Sequence, residues 1–355
     1  MENGEGRMEN LGLAFRLSRL FIFPFPLSAN ARLETHQTGI VVCNGQAAPR
    51  IGSRGGFRLM RFAKTELVAG LRTYLVLGRV PQLPTVWSNC LAGWLLSGGS
   101  TPGAFIALCL GTTCLFWGGV YLNDACDAQF DALHRRERPI PAGAIGKQTV
   151  WLLSVGWFAC GALILVSFGK TTAVLTVLLL ACIVVFNLLH KLITFSSVLL
   201  ASCRFLLYLV AGTATEAGVS GLTIWSGLAL AAYVVGLGYL ARQRSTRAIL
   251  HQWPCYLMAV PVVLAWIAND GGYHLLTSLF SVTLLGWVLW CLRYTFGSAH
   301  RNVSLTVAGL QAGIVLVDLL AVVGGSQCGL LFGSFFLTVL LLERFAPSGL
   351  ATAAG

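Results

Sequence analysis

Long apolar segments recur along this chain after about residue 80, separated by short stretches that contain Gly, Pro, Ser or basic residues. Each is about 15–20 residues long, close to the roughly 20 helical residues that cross the hydrocarbon core of a bilayer. We therefore predict an all-α, polytopic membrane bundle of nine or ten transmembrane helices. The predicted spans are Gln82–Leu96, Gly103–Leu122, Thr149–Phe168, Thr172–Leu189, Val198–Ala214, Thr223–Leu240, Pro254–Ala268, Tyr273–Leu292, Val303–Val323 and Gly329–Leu342.

The composition agrees with a membrane location. The chain is 56% apolar and 10% charged, with a mean hydropathy of +0.76, whereas a soluble domain carries about 25% charged residues. The formal net charge of +11 does not indicate a nucleic-acid partner, because the basic residues lie at the ends of apolar segments, where they set topology. Most of the eleven cysteines lie inside apolar runs and none forms a CxxC pair, so we predict neither a zinc site nor a disulfide framework.

The two ends of the chain differ from its membrane part. Residues 1–66 carry nine Lys or Arg and five Glu, and their apolar patch at Leu20–Leu27 is interrupted by two prolines, so it is too short to span a bilayer. Two interpretations stay open for this extension, namely an Arg-rich targeting peptide and a disordered segment. We predict a membrane domain at residues 67–345 and a flexible tail at residues 346–355.

Basic residues alternate between the loops. They follow the second, fourth, sixth and eighth spans, whereas the other loops carry almost none. This alternation predicts that the basic loops face the cytoplasm of a bacterium or, in a plastid membrane, the stroma. The basic residues of these loops are Arg135, Arg136, Arg138, Lys147, His190, Lys191, Arg242, Arg244, Arg247, Arg293 and Arg301.

An acidic cluster follows the second span. Asp124, Asp127 and Asp131 are spaced i, i+3, i+7, so one helical face carries all three carboxylates. They repel one another unless a cation lies among them, and Mg²⁺ prefers such oxygen ligands. Asn123 adds an uncharged oxygen. The alternative is a solvated helix end that pairs with nearby arginines, but charge at a membrane boundary is usually functional.

The arginines and lysines on this side have two interpretations. They either anchor the topology or turn inward and bind phosphate oxygens, which Arg can do through two parallel hydrogen bonds. Arg138 is the favoured phosphate ligand, because Pro139 and Pro141 stiffen its loop. Lys191 stands at a span end and offers a point charge.

Polar residues within the spans are few. Arg204 lies about two turns inside the fifth span, which favours an interior functional role over a structural salt bridge. Ser88 and Asn89 are expected to form interhelical hydrogen bonds or to line a pocket. Asp318 is expected near the outer end of its span, far from the acidic cluster, as a cap or in a local pair.

The motif NDACDAQFD at residues 123–131, followed by RPIPAG at residues 138–143, resembles the UbiA superfamily of intramembrane prenyltransferases. Residues 78–89, 190–191 and 203–204 are similar to the branch that contains the UbiA-like protein EboC. The resemblance implies a helical bundle, usually of nine spans, around a central cavity. It also implies that a prenyl group is transferred from an isoprenoid diphosphate to a membrane-soluble, often aromatic acceptor, with Mg²⁺.

Together, the residues and the resemblance predict a site at the membrane surface. The predicted catalytic and Mg²⁺-binding residues are Asp124, Asp127 and Asp131; the predicted substrate-binding residues are Asn123, Arg138, Lys191, Arg204, Arg242 and Arg247.

The chain departs from the family at one place. Members carry a second acidic motif after the sixth span, but residues 238–253 contain no acidic residue and three arginines. Either these arginines contact the diphosphate in place of a second metal ion, or the protein has lost transferase chemistry and binds or transports a lipid. A CDP-alcohol phosphotransferase is a weaker alternative, because its DGxxAR signature is absent around Asp124.

Overall fold

The computed structural model describes residues 73–75, 77–190, 195–242, 252–268, 272–297, 302–323 and 329–345. These residues form helices and connecting turns, with no strand among them, so the predicted all-α class is confirmed. The predicted extension at residues 1–66 and the tail at residues 346–355 lie outside this part of the chain.

Eleven α-helices make up the described bundle. Apart from the C-terminal end of the second helix and a break inside the seventh predicted span, their ends lie within about four residues of the ends of the predicted spans, because Gly, Pro and polar residues interrupt the apolar runs. The helices are α1 (Leu83–Leu96), α2 (Pro102–His134), α3 (Lys147–Val166), α4 (Lys170–Leu189), α5 (Ser196–Thr213), α6 (Gly221–Arg242), α7 (Trp253–Leu257), α8 (Val260–Ala268), α9 (His274–Phe296), α10 (Val303–Ala321) and α11 (Gly329–Phe345).

Seven of these helices, α2 to α6, α9 and α10, are long and apolar enough to cross a membrane. The other three predicted spans are shorter: α1 has 14 residues, α11 has 17, and the seventh span is divided into α7 and α8. The division precedes Pro261, whose ring lacks an N–H and cannot continue a helical hydrogen-bond ladder. The predicted nine or ten spans therefore comprise seven full-length helices and three shorter or interrupted ones.

Helix α2 is the longest and carries the acidic cluster. Its 33 residues extend for about 50 Å at 1.5 Å per residue, which exceeds the roughly 30 Å hydrocarbon core. The apolar first part fills a span, and the same helix continues through Asp124, Asp127 and Asp131 to His134. The carboxylates are therefore held on a rigid helix rather than on a loop.

The helices surround a central apolar core. Helix α2 packs on α3, α5 on α6, and α9 on α10, while α1 lies against both α5 and α10. Gly93 lets α1 approach α5 closely, since a Cβ there would lie 2.7 Å from the carbonyl oxygen of Tyr208. This contact brings polar residues of α1 against those of α5.

Candidate active site

The three carboxylates lie on one face of α2, as their spacing predicts. All three are buried, and Asp131 is only 1% exposed. Its Oδ1 atom is buried without a hydrogen-bond partner among the described residues. Carboxylates in such a setting need cations close by, and two arginines supply them.

Arg138 bridges two of the carboxylates. Its Nη1 atom lies 3.1 Å from Asp124 Oδ1 and 3.1 Å from Asp131 Oδ2. The loop that carries it is held by Ile140, which packs against a small apolar cluster containing Leu77 and Tyr121. The stiff Pro-containing loop therefore presents the guanidinium to the carboxylates. The predicted contact of Arg138 with phosphate stays a prediction, since the contacts seen are with acidic residues.

Arg79 is a second cation at this site, and it was not among the site residues predicted from the sequence. Its Nη2 atom donates to Asn123 Oδ1 at 2.7 Å and to Asp124 Oδ1 at 3.1 Å. Its backbone has φ +43°, a left-handed conformation that costs a non-glycine residue about 1–2 kcal/mol. Position 79 begins the short 3₁₀ turn Val80–Gln82 before α1, and this bend directs the side chain toward α2. The sequence offers only a weak signal for this role, an arginine two residues before a proline.

The third carboxylate faces the end of α4. Asp127 Oδ1 lies 3.6 Å from His190 Nε2, a separation that allows an ion pair when the imidazole is protonated but exceeds a direct hydrogen bond. The other ring nitrogen lies 3.1 Å from the carbonyl oxygen of Asn187. His190 therefore connects the acidic face of α2 with α4.

The donor set fits Mg²⁺ in its chemistry. Three carboxylates and the amide oxygen of Asn123 are hard oxygen ligands, and Asp131 Oδ1 is still without a partner. Within the described residues, however, no group of three metal-ligating side chains is arranged to hold an ion. In this arrangement, Arg79 and Arg138 supply the positive charge between Asn123, Asp124 and Asp131.

A cavity of about 200 Å³ leads from this cluster into the bundle. Arg79 and Asn123, which contact the acidic cluster, line this cavity, and so does Arg204. The rest of the wall is mainly apolar and comes from most of the helices around it. Apolar lining residues include Leu115, Phe116, Leu179, Ile183, Leu200, Leu207, Val234, Leu237 and Ile314. The site therefore combines a charged end with an apolar chamber.

Arg204 is half-buried and lies within a network of hydrogen bonds. Its Nη1 atom donates to Asn89 Oδ1 at 2.6 Å and to the carbonyl oxygen of Thr85 at 3.2 Å, and its Nη2 atom donates to Thr85 Oγ1 at 3.0 Å. No salt bridge joins Arg204 directly to a carboxylate within the described residues. It lines the cavity, in agreement with its predicted interior position.

Asp318 lies near the end of its span, as predicted, but the expectation that it acts as a cap or in a local pair was wrong. It is 0% exposed and accepts hydrogen bonds from Ser88 Oγ at 2.5 Å, from Asn89 Nδ2 at 2.7 Å and from the Tyr208 hydroxyl. It caps no helix, and its partners come from α1 and α5 rather than from its own helix α10. The same bonds confirm the interhelical role that was expected for Ser88 and Asn89.

The remaining predicted ligands fall outside the described residues or at their edge. Lys191 and Arg247 lie outside the described residues, as does Arg244. Arg242 ends α6 and donates to Ser196 Oγ at 2.9 Å, which ties α6 to the start of α5. Its predicted contact with substrate stays a prediction.

Comparison with known proteins agrees with this architecture. The model of the UbiA prenyltransferase family matches residues 83–296. The digeranylgeranylglyceryl phosphate synthase of Ignicoccus hospitalis is 32% identical over 107 residues, which cover 30% of this chain and 35% of that protein. The enzyme of the same name from Methanosarcina mazei is 35% identical over 123 residues, covering 29% and 40%. The aligned regions thus span about a third to two-fifths of these relatives.

Two solved structures share the fold. A UbiA homolog from Archaeoglobus fulgidus, bound to GPP and Mg²⁺, has a TM-score of 0.54 and 12% identity, over 70% of this chain and 98% of that one. A structure of a digeranylgeranylglyceryl phosphate synthase has a TM-score of 0.52 and 13% identity, over 77% and 99%. With seven apolar helices long enough to span a bilayer and a family match over more than half of its length, this chain is an integral, multi-pass membrane protein and belongs to the UbiA prenyltransferase family.

Proposed function

We propose that this protein transfers a prenyl group from an isoprenoid diphosphate to a membrane-soluble acceptor, with Mg²⁺ as cofactor. The observation that carries the proposal is the junction of an acidic cluster with an apolar cavity, made by Arg79 and Asn123 at the cavity end. A diphosphate needs cations, and a prenyl chain needs an apolar chamber. The junction offers both within one site.

Each group at the charged end has a role in binding the diphosphate. Asp124, Asp127 and Asp131 would hold Mg²⁺, which neutralises charge on the departing diphosphate when it is bound. Arg79 has a buried Nε–H without a partner among the described residues, so it can donate to a diphosphate oxygen. Arg138 contributes positive charge beside the same oxygens.

The apolar chamber serves the transfer step. The bond between the allylic carbon and the diphosphate oxygen breaks, its electron pair leaves with the diphosphate, and the acceptor attacks the resulting cation and loses a proton. Side chains such as Leu179, Leu200 and Val234 line the chamber and exclude the water that would otherwise capture the cation.

Two finer assignments also belong to this proposal. The basic loops favour a position of the acidic cluster on the cytoplasmic or, in a plastid, the stromal side. Residues 78–89 and 203–204 favour the branch that contains EboC, although the curated relatives matched over part of the chain are digeranylgeranylglyceryl phosphate synthases. These archaeal names do not fix the acceptor of this chain.

The proposal is tested by incubating the protein in nanodiscs with labelled geranylgeranyl diphosphate, Mg²⁺ and a lipid extract. We expect release of diphosphate together with a prenylated lipid, and a loss of at least about 100-fold in the Asp124→Ala variant. Glu137→Gln is the matched control, because Glu137 is an exposed acid in the adjoining loop.

A different result would favour the alternative that the protein binds or transports a lipid without transferase chemistry. If several isoprenoid diphosphates bind but none is cleaved, the protein is a lipid carrier, and the arginine-rich stretch after α6 has replaced the second acidic motif without preserving turnover. If Glu137→Gln abolishes release as fully as Asp124→Ala does, the acidic cluster has no special role.

A further inference from the structure

A polar cluster lies inside the bundle, apart from the acidic cluster of α2. It joins Ser88 and Asn89 of α1, Arg204 and Tyr208 of α5, and Asp318 of α10. Asp318 accepts from three of the others, and Asn89 connects it to Arg204, since Asn89 donates to Asp318 and accepts from Arg204. Charged groups inside membrane helices are costly and usually functional. Such a cluster therefore calls for a role beyond helix packing.

Arg204 presents part of this cluster to the cavity. A guanidinium has five N–H donors, and three of those of Arg204 are used within the protein, on Thr85 and Asn89. The other two have no hydrogen-bond partner among the described residues, and Arg204 lines the cavity. The wall of the cavity therefore contains a fixed donor, Arg204, which Asn89 of α1 links to Asp318.

The formal charges of the cluster decide which class of ligand can bind to the Arg204 guanidinium. The positive charge of Arg204 and the negative charge of Asp318 balance within one network. An anionic group beside Arg204 would add an uncompensated charge inside a medium of low dielectric constant, which is strongly unfavourable. A neutral carbonyl or hydroxyl oxygen accepts from the free N–H groups and adds no charge.

We propose that Arg204 binds a neutral acceptor molecule through one carbonyl or hydroxyl oxygen, and that Asp318 makes this site selective against anionic molecules. The inference rests on the proposed transferase function, because it assigns the acceptor class to the same cavity. Arg204 acts here as a binding residue, and Asp318 as a positioning residue that acts through Asn89.

The test compares two ligands of nearly equal shape. 1-Hydroxy-2-acetylnaphthalene is neutral, whereas 1-hydroxy-2-naphthoate carries a carboxylate in place of the methyl ketone. Their binding to the protein in nanodiscs is measured by fluorescence, without diphosphate or Mg²⁺, and empty nanodiscs correct for partition into lipid. We expect the wild-type protein to bind the ketone at least about tenfold more tightly.

Two variants separate recognition from packing. Arg204→Met should weaken binding of the ketone by about 10- to 100-fold, the range for loss of hydrogen bonds from a charged donor. Asp318→Asn leaves Arg204 uncompensated and should shift the ratio of affinities toward the carboxylate by at least about tenfold. Tyr208→Phe removes one hydrogen bond to Asp318 but keeps both charges, so it should leave the ratio unchanged.

Equal or tighter binding of the carboxylate to the wild-type protein would overturn the proposal, and this measurement needs no variant to fold. An unchanged ratio in a folded Asp318→Asn protein would also overturn it. Because no turnover is measured, loss of ligand selectivity and absence of diphosphate release are separate outcomes, so the two proposals fail independently.

Discussion

Replacement of Arg138 by Gln tests whether the acidic cluster is a cation site. The guanidinium lies 3.1 Å from carboxylate oxygens of both Asp124 and Asp131, and Arg138 is only 8% exposed. Glutamine keeps an amide donor but removes the charge. Asp131 would then lose its salt bridge to Arg138, while Arg79 would still pair with Asp124.

The expected loss is large because the pair is buried. Removing one partner of a buried ion pair costs about 3–5 kcal/mol, or about 6–10 °C in Tm if roughly 2 °C is lost per kcal/mol. A bound cation stabilises by about 2.7 kcal/mol at a concentration of 100 times its Kd. We therefore expect Mg²⁺ to restore much of the stability of Arg138→Gln, whereas in the wild-type protein it must compete with the guanidinium and raises Tm less.

The assay is thermal unfolding in nanodiscs, followed by tryptophan fluorescence in EDTA and then in Mg²⁺. Arg136→Gln is the matched control, since Arg136 is exposed and its Nε donates to the carbonyl oxygen of Ala132. An equal Mg²⁺-induced shift in all three proteins, or none in Arg138→Gln, would refute the reasoning that a divalent ion can take the position of this guanidinium.

Two further predictions concern helix packing and Arg79. Gly161→Ala should destabilise the bundle by about 1–3 kcal/mol, because its Cβ would lie 2.7 Å from the Gly111 carbonyl oxygen of α2. The control is Gly156→Ala on the same helix, whose Cβ meets nothing within 4 Å and which should be neutral or stabilising by up to about 1 kcal/mol. Equal shifts in melting temperature for the two variants would contradict this prediction. Arg79→Ala should raise KM for the isoprenoid diphosphate by about 10- to 100-fold, with partial recovery in Arg79→Lys; an unchanged KM in steady-state kinetics would exclude Arg79 as a ligand.

Helix positions were predictable from the sequence because apolar runs and their interruptions act locally. Pro102 and the preceding turn begin α2 as expected, and the i, i+3, i+7 spacing places the three carboxylates on one buried face. Pro261 carried the same kind of local signal, and it shows why the seventh span is divided. Features that depend on a single helix could therefore be predicted from the sequence.

The contacts between helices in the interior could not be predicted from the sequence in this way. Ser88 is the sixth residue of α1, whereas Asp318 is the sixteenth of α10, yet their side chains are 2.5 Å apart. Helices of different lengths begin at different depths, so a position counted along one helix does not predict which residue lies opposite on another. Arg79 was missed for a related reason, since its role depends on a backbone bend that directs it toward α2.

The two polar parts of the cavity lining differ in their charged groups, and under the proposed transferase function this difference would order the substrates. At the acidic cluster, the three carboxylates lie beside Arg79, Arg138 and His190, and Arg135 also acts electrostatically on Asp131, so these positive groups already face carboxylates. That part suits a diphosphate only together with added cations. At Arg204 the charges already balance, so that wall suits an uncharged oxygen. Under the two proposals, a diphosphate would therefore bind at the acidic cluster and the oxygen of a neutral acceptor at Arg204, within one cavity.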